Sequence, residues 1–216
     1  MISTRNLTEL PPIDKLKRLS QSLAVLDAIL CPDWSLRYYS FNTNWDSEHT
    51  LASMKTGSGD SYCILFSSNG AIIKGDAHET QFEDFSVLNG KPWPGVLDTV
   101  PSDFNYFLHE PAFSVQEATF LVWRREADAA WNVGKIDFPD TADPDGSADL
   151  LAILDGNPNK YKEWGEEYYD RSIPVSCVKH IYECRPLTSR ILARLNPEVS
   201  LEDLATDLAE IGYVTS

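Results

Sequence analysis

The stretch YCILFSSNGAIIKGDAHET (62–80) decides the fold of this chain. Tyr62, Ile64 and Phe66 recur at every second position, the period of a β-strand with side chains on alternate faces. Asn69-Gly70 accepts the positive φ angles of a tight turn, so Ala71–Lys74 is expected to return as the partner strand of a hairpin. Gly75 is read as the end of that strand. Asp76, His78 and Glu79 then stand at its exit, as a working site or as an ordinary solvated loop.

Working outward, Arg37, Tyr39 and Phe41 show the same alternation and predict another strand. Before it, Leu16, Leu19, Leu23, Leu26 and Leu30 recur at three- and four-residue steps, which predicts an amphipathic helix over 13–30, opened by Pro12 and stopped at Cys31-Pro32. Residues 76–95 read as a long loop, broken by Asn89-Gly90 and Pro92-Trp93-Pro94-Gly95. A short helix is expected near 101–108. A second hairpin pairs 118–126 with 129–138, and aromatics on both strands predict packing on both faces.

Beyond Pro139 the pattern turns helical, near 147–155, 158–169, 174–184, 188–195 and 200–211. In the last of these Ser200 can cap, Asp203 sits at the third position and Gly212 closes. The expected architecture is one α+β domain over 1–216, β-rich over 31–138 and helical over 147–212. A central antiparallel sheet is built from hairpins, with an N-terminal helix and a C-terminal group of helices.

The 216 residues are 43% apolar and 24% charged, the balance of a globular protein rather than a disordered or membrane-embedded one. No apolar run approaches the ~20 residues of a membrane span, because Asp27 interrupts the best helix, and MISTRNLTEL lacks the apolar core of a secretory signal. A cytoplasmic location without membrane contact is expected. Cys31, Cys63, Cys177 and Cys184 contain no C-x-x-C and read as thiols.

The net charge of −15 is unevenly placed. Residues 1–75 hold seven basic and seven acidic side chains, whereas the remainder holds 11 basic and 26 acidic ones. Such a surface repels phosphate backbones, which argues against nucleic acid as a partner, and attracts a basic protein. Asp137, Asp140, Asp143, Asp145 and Asp149 are the candidate partner-binding residues.

Catalytic and cofactor signatures fail on context. Gly70-Ala-Ile-Ile-Lys-Gly75-Asp76 imitates P-loop spacing but carries Asp where lysine is required, and it lies inside a hairpin. His78-Glu79 and His109-Glu110 each open an H-E-x-x-H whose fifth position is Phe82 or Phe113. Cys177 and Cys184 would sit about 10 Å apart along one helix, too far for sulfurs that zinc holds within about 4.6 Å of each other. Asp143, Asp145 and Gly146 resemble a calcium loop, but its closing Glu position holds Ala152. No cofactor and no catalytic residue are therefore expected. The alternative is a small metal-dependent or general acid/base enzyme using Asp60, Asp76, His78 and Glu79. Trp34, Trp45 and Trp93 are read as core residues, with partner contact the other reading.

Val100-Pro101-Ser102-Asp103-Phe104-Asn105-Tyr106-Phe107-Leu108 resembles the L-P-x-D/E-Y/F-x-x-F-L helix of the SUKH superfamily over nine residues. Many bacterial members of that superfamily are thought to be immunity proteins that neutralise toxins. The resemblance implies a bacterial binding protein, and its specific form would be immunity to a basic toxin.

Overall fold

The computed structural model describes residues 1–78, 80 and 91–215. Its centre is a six-stranded antiparallel meander whose spatial order follows the chain: β1 (Tyr39–Asn42), β2 (Thr50–Lys55), β3 (Ser61–Ser67), β4 (Gly70–Asp76), β5 (Phe120–Arg125) and β6 (Asn132–Val133). Helix α1 (Ile13–Leu30) precedes the sheet and α2 (Asn105–His109) lies between β4 and β5. The C-terminal group is α3 (Ser147–Leu150), α4 (Pro158–Tyr169), α5 (Val175–Tyr182), α6 (Ser189–Leu195) and α7 (Ala205–Ile211). The fold is α+β.

The β3–β4 hairpin turns through Ser68-Asn69, one residue earlier than expected, because Ser67 pairs with Gly70, which opens β4 at φ +144°. Alternation along β3 to β5 divides two cores. Ile64, Phe66, Ile73, Phe120 and Val122 face α1 and the C-terminal helices. Leu65, Ile72, Leu121 and Trp123 face Val96, Phe104, Phe107, Phe113 and Val115 on the other side. With both faces covered, the central strands read as apolar runs instead of a clean alternation. Helix α1 runs between β1 on one side and α5 and α7 on the other, so every residue from Ser22 to Leu30 is buried.

Several boundaries depart from expectation for local reasons. Gly75 does not end β4. It pairs with Phe120, whose ring covers it so closely that a Cβ there would lie 2.0 Å from the ring carbons. The expected 129–138 strand shrinks to Asn132–Val133, because the chain turns back at Gly134, where Ile136 N–H donates to its carbonyl at 3.0 Å. Strand β2 has no counterpart in the sequence reading. Ser200 and Asp203 do exchange backbone and side-chain hydrogen bonds at 2.9 and 3.2 Å, yet regular helix begins only at Ala205. The loop expected at 76–95 is described only in part: Glu79 and 81–90, with Asn89-Gly90, lie outside the described residues.

Arg37 precedes β1 rather than joining it. Its guanidinium grips Asp207 of α7 through two 2.9 Å contacts, and its Nε donates to the Cys31 carbonyl at 2.7 Å. This buried fork fixes the last helix against the end of α1.

Candidate functional site

Three regions gather the polar side chains that matter. At the exit of the first hairpin, Asp76 faces Lys74 two residues earlier, with Nζ–Oδ2 at 3.5 Å. The Lys74 side chain is almost completely buried, so Asp76 serves as its counter-ion in the sheet. Asp60 accepts the backbone N–H of His78 at 2.8 Å, and the His78 ring lies on Gly59, within 2.9 Å of where a Cβ would stand. Asp60 and His78 are thus brought together through backbone, while Asp76 is engaged with lysine. Glu79 lies outside the described residues. Among the described residues no group of three or more His, Cys, Asp or Glu side chains is placed to hold a metal ion.

The acidic loop divides more sharply. Asp145 was expected on the surface with its neighbours but is buried, so it cannot meet a partner. Its carboxylate accepts from Thr4 Oγ1 at 2.6 Å, Ser147 Oγ at 2.7 Å and Ser147 N–H at 3.1 Å, while burial raises its pKa. Asp143 accepts the N–H groups of Ala148 and Asp149 at the start of α3. Arg5 donates to the carbonyls of Thr141 and Pro139, both at 2.6 Å, and stands 5.0 Å over the Phe138 ring. Asp137, Asp140 and Asp149 remain exposed. The loop is a stitched frame presenting three carboxylates.

The third region was not named in the sequence reading. Asp27, fully buried in α1, accepts the N–H groups of Tyr38 and Tyr39 at 3.0 and 2.9 Å through Oδ2, and the Tyr161 hydroxyl at 2.8 Å through Oδ1. Burial pushes its carboxyl up to about 6, against the pull of those hydrogen bonds. The buried Tyr169 hydroxyl also favours the charged form electrostatically but falls short of a hydrogen bond. The Tyr39 and Tyr161 hydroxyls have pKa values raised chiefly by burial, and the neighbouring Asp27 charge adds to both.

Above Asp27, Tyr38 and Tyr39 help to wall a pocket of about 230 Å³. Tyr38, Tyr39 and Met54 come from the β1–β2 edge, Trp164 from α4, and Asp149 and Leu150 from α3. Trp164 packs 4.9 Å from Tyr38, 5.2 Å from Tyr39 and stacked at 5.6 Å on Tyr168. The one available signal was Asp27, an acid within an otherwise apolar helical stripe. Its partners lie 11 to 134 residues away, which no local pattern shows.

Of the three tryptophans read as core, Trp45 and Trp93 pack against the second core, but Trp34 is 61% exposed. Asp33 caps a single 3-10 turn at Trp34–Leu36 that holds the ring outward. No protein-family model, curated protein or solved structure matches the chain.

Proposed function

We propose that this chain is an acidic cytoplasmic protein-binding module whose partner is a basic protein, and that its specific form is an immunity protein blocking a basic toxin. The carrying observation is the rigid presentation of Asp137, Asp140 and Asp149 on a loop held by Thr4, Arg5 and Asp145, in a chain of net charge −15. Carboxylates set on a stiff frame lose little conformational freedom on association, which favours electrostatic recognition of a cationic surface. The short helix at 101–109 supports the immunity reading through its resemblance to the SUKH helix.

Co-expression with the product of the adjacent gene tests this reading. The native chain is expected to protect the host and to bind that product more weakly as salt rises. Combined Asp137→Lys, Asp140→Lys and Asp149→Lys substitution should weaken binding at least about tenfold. Full protection by the reversed-charge variant would overturn the electrostatic mechanism.

A further inference from the structure

The pocket above Asp27 suits one kind of occupant. At about 230 Å³ it lies below the ~300–1,000 Å³ typical of drug-sized ligand sites, so a single side chain matches its volume better than a large metabolite. Tyr39, Met54 and Leu150 are buried, and Tyr38 and Trp164 are half-buried, so the lining is apolar and aromatic where it is deepest.

The charge left unpaired on the pocket lining is negative. Asp149 lines it, and among the described residues its carboxylate has no hydrogen bond or ion pair. Asp27 lies beneath Tyr38 and Tyr39. Among the described residues the only cation lining the pocket is Lys160, and it pairs with Asp155 at 2.5 Å. Aromatic rings beside unneutralised carboxylates attract a cation that carries an apolar stem.

The surroundings point to a side chain on a protein rather than to a free small cation. Tyr168, stacked on Trp164, is 41% exposed and donates to the Leu36 carbonyl at 3.1 Å; Leu36 and Trp34 are 58% and 61% exposed. A free metabolite needs no such apolar apron, whereas a protein interface places its anchor residue in a pocket ringed by contacts that exclude water. The chain already shows the chemistry on this apron: Lys55 sits with Nζ 4.5 Å over the Trp34 ring.

We infer that the pocket walled by Tyr38, Tyr39 and Trp164 and edged by Asp149 receives an arginine or lysine side chain of the basic partner, with Trp34, Leu36 and Tyr168 forming the apolar surround. This assignment rests on the binding-module reading and names its anchor point. Asp149 belongs both to the acidic loop and to the pocket, so the two surfaces are continuous.

The test titrates the intact chain with Nα-acetyl-arginine amide, Nα-acetyl-lysine amide, their uncharged counterpart Nα-acetyl-citrulline amide, and choline, followed by the indole and backbone amide signals of isotope-labelled protein. Saturable shifts at the Trp164 indole and at residues 149–153 are expected with a Kd of about 1 mM for the arginine amide. Citrulline should bind at least about fivefold more weakly, and Asp149→Asn should weaken arginine by a similar factor while the remaining spectrum stays unchanged. Equal binding of citrulline, shifts confined to other regions, or no saturation would overturn the cation assignment. Choline binding more than tenfold tighter than either amide would overturn the side-chain source. Partner association that survives pocket variants that no longer bind arginine sinks the anchor but leaves the binding module. Arginine binding in a chain that no basic partner engages sinks the module instead.

Discussion

The exit of the first hairpin and the tyrosine-walled pocket each assemble carboxylates, and they differ in what those carboxylates are free to do. At the hairpin, polar residues crowd together in sequence, but Asp60 is occupied by the His78 backbone and Asp76 by buried Lys74. At the pocket, one buried acid in α1 organises rings from β1 and α4, and an uncommitted carboxylate from α3 stands at the rim. The lesson is about space. A site needs room beside its charges, and room is set by how apolar elements meet rather than by how polar residues follow one another along the chain.

The sharpest break of this comparison is Asp27→Ala. It leaves two backbone N–H groups and the Tyr161 hydroxyl without a partner in the core, and each orphaned donor costs roughly 1–3 kcal/mol. Set against relief of the buried charge, the expected net loss is about 3 kcal/mol of stability by chemical denaturation at pH 7. A loss below about 1 kcal/mol would show that Asp27 does not organise the pocket floor.

Asp27 also predicts a pH dependence of definite sign. Its folded pKa, about 6, lies above the ordinary 3.8, so the folded state holds a proton that the unfolded state has already released between those values. Stability from this group is therefore fully present at low pH and is lost as pH rises from about 4 to about 6, by about 3 kcal/mol in all. Asp145 acts in the same direction. Asp27→Asn should flatten this part of the pH–stability curve relative to the native chain, and an unaltered slope would contradict the assignment.

A smaller effect belongs to the hairpin. Asp76→Ala removes the counter-ion of Lys74 and is expected to cost about 2 kcal/mol, less than a fully buried pair because Asp76 is partly exposed. Asp76→Asn should recover part of that loss. Zinc or manganese added to the native chain should leave its melting temperature within about 1 °C; a saturable rise would revive the metal reading.

The sequence carried the fold further than the site because the two are encoded at different ranges. Asn69-Gly70 marks its turn to within one residue, and the leucine spacing of α1 shows its buried stripe over about four turns. Strand β2 escaped because Ala52 and Ser53 are poor strand formers and Lys55 closes it, so only its neighbours β1 and β3 reveal it. Strand β6 was overread because aromatic content at 129–138 signals packing, and Trp131 does pack, donating to the Pro11 carbonyl at 2.8 Å, without ladder pairing along its length. The five aspartates of 137–149 were legible as charge, but which of them turned inward depended on Thr4, far away in the chain.

That dependence on Thr4 has a temporal side. Thr4 N–H bonds to Ser147 Oγ across a sequence separation of 143 residues. At synthesis speeds of about 5–20 residues per second, the segment around Thr4 waits roughly 7–30 s before its receptor leaves the ribosome. By the end of that interval β1 to β5 have all been made and can pair, before the carboxylate-bearing loop finds its seat. A nascent chain stalled before residue 147 would hold its hairpins yet lack a seated Asp145, so the frame of the acidic loop closes only after the sheet has been made.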